Sequence, residues 1–326
     1  MVKMNNKKIS DNKKISDNKN LIIAIGIILV ICTIILALFN TINFQTPPQG
    51  LMILIESTGE PTGLDTMVEQ MKQRDITGIL MVTPEFVNNN CEAVKKALSY
   101  EKLELVPSNV GAPFWGIPYE EQKSRIVTMM DEIEECVGFR PRIISSRYMA
   151  SDMNTIKVAE ELGIEYVTAR GTTGNKATVY EIEDYNVKIL SVSLIALVPF
   201  EYGSLCDFSF YERAGCPSDM REELDRAMLP LTDKEIGWFG EHHRITPTSH
   251  TYIGGGLKIW NDMWLDYWNT NNVNWVTLDE FMSTPDWVLP LWQIPINQNN
   301  PYTVEKVHPL IPYEDDEKVD NMCSVI

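Results

Sequence analysis

LMILIESTGEPTGLDTMVEQMKQRDITGILMVTPEFVNNNCEAVKKALSYEKLELVP, residues 51–107, holds three short apolar runs separated by two amphipathic stretches. LMILIES (51–57), TGILMVT (77–83) and LELVP (103–107) read as strands buried on both faces. Between them Met67, Val68 and Met71, and then Val94 to Leu98, carry apolar side chains at helical spacing. The alternation continues with a helix through Ile126 to Ile133, another over Thr155 to Leu162, and a strand at Glu165 to Thr168. A hairpin-like pair follows at Thr178–Tyr180 and Val187–Val192, then a Trp-rich helix from Leu257 to Trp268 and the strand NWVTL (274–278). A helix starting near Asp279 closes the domain. Repeated strand–helix units predict an α/β fold with parallel strands in a barrel or a doubly wound sheet.

Outward from this core the composition changes. Residues 1–20 contain a tandem KKISDN repeat and almost no apolar side chains, and read as a cytoplasmic disordered stub. LIIAIGIILVICTIILALF (21–39) has no charged residue and, as a helix, covers about 28 Å of hydrocarbon. This predicts an uncleaved single-pass transmembrane helix, because a signal peptide has a shorter apolar run and small residues before its cut. The flanking Lys7, Lys8, Lys13, Lys14 and Lys19 keep the N-terminus cytoplasmic, so the domain is expected outside the cell membrane. Residues 40–50, with Pro47 and Pro48, are a linker, 51–284 the folded domain, and 285–326 a C-terminal wrap with an acidic tail.

Of the 326 residues, 45 are Asp or Glu and 28 Lys or Arg, for a net charge of -17. The first 20 residues hold six Lys and two Asp, so the remainder carries about -21. A surface of that sign repels phosphate backbones, and nucleic acid is excluded as a partner. In an oxidising space cysteines pair. Cys206 and Cys216 are close enough in sequence for a local staple, and Cys91 meets Cys136 where two helix ends adjoin. Cys323 lies in a C-terminal CSVI that has the form of a prenylation box, but on the expected topology that end never meets the cytosolic enzymes.

Three stretches carry a resemblance: IPYEEQKSRIVTMMDEIEECVGFRPR (117–142), DMNTIKVAEELGIEYVTAR (152–170) and WVTLDEF (275–281). In their order and local patterns they resemble the carbohydrate esterase family 4 polysaccharide deacetylases, over residues 51 to 284. The resemblance implies a distorted, seven-stranded deacetylase-like (β/α) barrel behind the transmembrane helix. It also implies metal-assisted hydrolysis, in which an Asp and two His hold a divalent ion and a second Asp acts as base. Those groups are largely missing here. The two Asp and the Gly of the first motif fall on Ser57, Thr58 and Gly59, and the two His of the second on Ser108 and Ala112, beside Asn109. The Arg of the third motif falls on Ser145, with Arg147 close by and Tyr148 at the family's aromatic position. His250 ends the late strand where the family has its acid/base His.

No metal and no other cofactor is therefore expected, the family's zinc-type ion being lost. A replacement site from Glu241, His242, His243 and His250 is awkward, since adjacent His point in different directions. Gly254, Gly255 and Gly256 read as a flexible mouth loop, and Trp260, Trp264 and Trp268, four apart, as one packed helix face. The expected pocket lies at the strand ends around Ser57, Thr58, Ser108, Asn109 and Tyr148. The expected function is a non-catalytic deacetylase-like protein that binds a glycan, a cell-envelope polymer or an envelope protein. The alternative is an active carbohydrate hydrolase with a rearranged site of His250, Arg147 and Glu56.

Overall fold

The computed structural model describes residues 46–57, 59–170, 174–196, 203–213, 215–289 and Cys323. The expected stub (1–20), transmembrane helix (21–39) and most of the linker and tail lie outside the described residues. Among the described residues no helix is long and apolar enough to cross a membrane.

The chain opens with β1 (Gln49–Gly50) and β2 (Met52–Glu56), followed by helix α1 (Leu64–Gln73), β3 (Gly78–Val82), α2 (Pro84–Leu98), β4 (Leu103–Pro107) and α3 (Tyr119–Val137). These are the three βα units read from residues 51–133. Each helix begins or ends where its sequence dictates. Thr83 caps α2 by accepting from the Phe86 amide at 3.3 Å, with Pro84 in the first turn. Gly138, at φ 80°, terminates α3 in the left-handed conformation that glycine adopts without cost. Next come β5 (Ile143–Ile144), a 3-10 turn at Arg147–Met149, α4 (Met153–Glu161) started by an Asp152 capping box, and β6 (Tyr166–Arg170). β7 (Thr178–Ile182) and β8 (Lys188–Val192) form the expected antiparallel pair.

The last third is more helical: α5 (Asp207–Tyr211), α6 (Pro217–Ala227), α7 (Asp233–Phe239), β9 (Arg244–Ile245), β10 (Thr248–His250), α8 (Thr251–Gly254), α9 (Lys258–Thr270), β11 (Asn274–Trp275), α10 (Leu278–Met282) and β12 (Trp287–Leu289).

The strands pair as β10-β2-β3-β4, β12-β7-β8-β6-β5 and β11-β1-β9. Single bridges connect them: Ser108 with Ser145 between β4 and β5, Cys206 with Thr248, and Ala177 with Arg244. The amide of Leu205 donates to the Ser193 carbonyl at 2.9 Å and that of Thr248 to Leu205 at 2.9 Å, so residues 204–206 lie between the end of β8 and β10. Alternate residues of β2 and β3 serve two cores. Leu51, Ile53, Ile79 and Met81 meet Val106, Ile143, Leu190 and Val192, whereas Met52, Leu54, Leu80 and Val82 pack under α1, α2 and α9. Trp260, Trp264 and Trp268 are buried on one face of α9, as their spacing predicts.

Three expectations need correction. The domain is wider than 51–284: Gln49 and Gly50 pair with β9 and β11, and β12 pairs with β7. The Asp286 carboxylate, itself buried, holds Arg244 at 2.6 Å and thereby ties this last strand into the fold. The Cys206–Cys216 staple does not form. Cys216, at the start of α6, is bonded to Cys323, and Cys206 stays a buried thiol because its position beside β10 turns it toward His250. The pairing of Cys91 with Cys136 is present and links α2 to α3. The glycines 254–256 form no loose loop. Gly254 packs against Ser249 and Trp264, and Gly255 and Gly256 pack against Gly63, whose φ is 82° and whose added Cβ would lie 2.1 Å from the Thr251 carbonyl oxygen. Gly63→Ala is accordingly expected to cost at least about 2 kcal/mol, from the left-handed backbone and the clash together, read from denaturant unfolding.

Candidate functional site

The C-terminal ends of the parallel strands gather most of the residues singled out in sequence. Register places His250 beside Ile55, Glu56 beside Val82, Val82 beside Pro107, and the Ser108–Ser145 bridge one step further. Ser57 is exposed, and its carbonyl accepts a hydrogen bond from the Thr83 hydroxyl. Thr58 lies outside the described residues. Ser108 and Asn109 are nearly buried. The Asn109 side chain is fully occupied by the backbone, accepting from the Arg147 amide at 2.7 Å and donating to the Ala112 carbonyl at 2.7 Å. Ser145 is buried and accepts from the Thr168 hydroxyl at 2.7 Å.

Arg147 and Tyr148 project from this rim. Tyr148 is 42% exposed and sits at φ 57°, a conformation that costs a non-glycine residue about 1–2 kcal/mol. The Arg147 guanidinium lies 4.8 Å from the Tyr148 ring centroid and donates to the Gly111 carbonyl at 3.0 Å. The pair forms a solvent-exposed cation–π stack, with the guanidinium over one face of the ring.

Glu56 points the other way. It shares its face of β2 with Met52 and Leu54, is buried, and accepts from the Thr251 hydroxyl. Burial raises its carboxyl to about 7, against the opposing Thr251 hydrogen bond.

The densest chemistry surrounds His250. Its Nδ1 lies 3.2 Å from Cys206 Sγ and 3.8 Å from Asp207 Oδ1. Asp207 is wholly buried and, among the described residues, accepts five hydrogen bonds: from the amides of Phe208 (2.7 Å) and His250 (2.8 Å), the Ser249 hydroxyl (2.5 Å), the Trp264 indole (3.2 Å) and the Cys206 thiol (3.6 Å). Burial lifts its carboxyl to about 6 despite those donors. Burial also lifts the Cys206 thiol and pushes the His250 imidazole down to about 3. The ring, whose side chain keeps 16% exposure, packs against Phe208 at 4.6 Å between centroids and edge-on to Tyr252.

Asp207 has little signature in the sequence. The only signal is an Asp beside a Cys in the otherwise uncharged SLCDFSFY (204–211), with the partner His over forty residues away in the chain. His242 and His243 take no part. The first bonds Asp286 at 2.8 Å and the second the Ala227 carbonyl at 2.8 Å, apart from His250.

This architecture is the polysaccharide deacetylase fold. A protein from Mycobacterium smegmatis described as a polysaccharide deacetylase superposes with a TM-score of 0.54 at 12% identity, covering 76% of this chain and 96% of that one. Another from Pseudomonas aeruginosa PAO1, described in the same way, gives 0.51 at 10% identity, covering 72% and 89%. No protein-family model matches the sequence. No curated protein matches it either.

Proposed function

We propose that this chain is a membrane-tethered, extracytoplasmic and degenerate member of the carbohydrate esterase family 4, which binds a glycan or cell-envelope polymer without metal-dependent deacetylation. One observation carries the reading. In the sequence, the places matched to the family's two Asp and two His hold Ser57, Thr58, Ser108 and Ala112, and neither a hydroxyl nor a methyl group replaces a carboxylate or an imidazole on a divalent ion. The bridges Ser108–Ser145 and Cys206–Thr248 support the seven-stranded barrel as the architecture. The uncharged run 21–39 supports the tether, and the two disulfides support an oxidising location.

The Arg147–Tyr148 pair is the surface for a sugar ring. The ring face not covered by the guanidinium can stack on the apolar face of a pyranose, and the guanidinium donates to hydroxyl or carboxylate oxygens. The full-length chain, purified in detergent and titrated with N-acetylated glucosamine oligomers by NMR or calorimetry, is expected to bind saturably. Tyr148→Ala and Arg147→Ala should each weaken binding about tenfold, equivalent to about 1.4 kcal/mol. Binding unchanged in both variants, or absent in the parent chain, would remove this reading of the pair.

A further inference from the structure

Cys206, Asp207 and His250 meet from two separate stretches of chain, and three of their ligand atoms form a compact triangle. Sγ to Nδ1 is 3.2 Å, Sγ to Oδ1 3.6 Å, and Oδ1 to Nδ1 3.8 Å. Tetrahedral zinc bound by sulfur at about 2.3 Å and by nitrogen and oxygen at about 2.0–2.2 Å spaces its ligands by roughly 3.3–3.6 Å. All three corners of the observed triangle are about 2 Å from a common point, so an ion fits with ligand shifts of a few tenths of an ångström.

Charge points the same way. Asp207 is buried, and among the described residues its one ion-pair partner is the His250 ring, which is charged only when protonated. Buried carboxylates are ordinarily paired or bound to metal. A thiolate, a carboxylate and a neutral imidazole around a divalent cation sum to zero charge, which suits a site shielded from water. The surroundings supply an orienting shell as well, since Ser249 and Trp264 fix the far oxygen of the carboxylate.

We propose that Cys206 Sγ, Asp207 Oδ1 and His250 Nδ1 bind one divalent transition-metal ion of the zinc type, at a place distinct from the positions matched to the family's metal. On binding, the ion replaces the thiol proton, which leaves to solvent, and the sulfur lone pair forms the new bond. The sulfur ligand selects zinc or cobalt over magnesium and calcium, which take oxygen. The ion is held whether or not the domain is catalytic.

Cobalt(II) reports on the site directly. Titrated into the full-length chain with its disulfides intact, cobalt is expected to give a thiolate-to-metal charge-transfer absorption that saturates at one equivalent and is displaced by zinc. Cys206→Ser keeps the size and polarity of the side chain but removes the soft ligand. It should abolish the band and weaken zinc binding by at least about 100-fold, the upper end of what outer-shell losses alone cost. His250→Gln provides a second variant, expected to lose one-equivalent binding as well. No band in the parent chain, or a band that survives in Cys206→Ser through Cys32, the other cysteine outside the two disulfides, would overturn the site.

Discussion

Replacing both Cys91 and Cys136 by Ala is expected to lower the unfolding free energy by about 4 kcal/mol, on the chain-entropy account of a crosslink closing this span. The bond joins residues 45 apart and ties α2 to α3, helices that flank neighbouring strands β3 and β4. Its effect falls mainly on the unfolded chain, which regains the conformations that the link forbids. For a domain of this size the midpoint should drop by about 8–16 °C in thermal melts followed by circular dichroism. A drop of only a degree or two would mean that the bond does not constrain the unfolded ensemble.

The second large effect is a pH dependence centred on Glu56. Its carboxyl is raised by burial from an ordinary value of 4.5 to about 7. Between those values the folded chain holds a proton that the unfolded chain has released. Stability from this group is therefore fully present below about pH 4.5 and is lost as pH rises through 7. The full change amounts to about 3 kcal/mol, since each pH unit separating the folded and unfolded titrations corresponds to about 1.36 kcal/mol. Glu56→Gln keeps an oxygen for the Thr251 hydroxyl and removes the titration. The difference in unfolding free energy between this variant and the parent should move by about 3 kcal/mol in favour of Gln from pH 4.5 to pH 8. Comparing two chains cancels the opposing titration of His250 and that of Asp207. A difference that stays flat over this range would place the Glu56 carboxylate in contact with water.

Much of the fold is legible in the sequence because its signals are local. LMILIES, TGILMVT and LELVP correspond to β2, β3 and β4, and the four-residue spacing of Trp260, Trp264 and Trp268 marks the buried face of α9. Hairpin β7–β8 is equally readable, whereas the Cys91–Cys136 pair follows from spacing only on the condition that two helix ends adjoin, and Cys91 in fact lies in the middle of α2. What fails depends on distant contacts. Sequence proximity suggests Cys206 for Cys216, yet the partner is Cys323, 107 residues on. Glu56 ends a strand and so suggests a mouth residue, but the period-two alternation of β2 puts it with Met52 and Leu54, under the helices. A domain boundary at 284 leaves out β12 because three residues after a Pro-containing turn carry little strand signal, and their sheet partner lies a hundred residues earlier.

The candidate site divides along the same line. Matching motifs to strand ends singles out His250, Ser57, Ser108 and Ser145, and register puts them at one end of the sheets. Asp207 stays hidden because its role comes from burial and five hydrogen-bond donors, three of them on residues 249, 250 and 264.

Whether this chain hydrolyses acetamides is read from the release of acetate from N-acetylated glucosamine oligomers, measured with the full-length chain in the presence of zinc, cobalt, manganese or magnesium. On the proposed reading, in which Ser57, Thr58, Ser108 and Ala112 stand at the places of the family's Asp and His, no acetate above the protein-free background is expected with any of these ions. Metal-dependent turnover that disappears in His250→Ala would contradict the account and make this chain an enzyme with a relocated site.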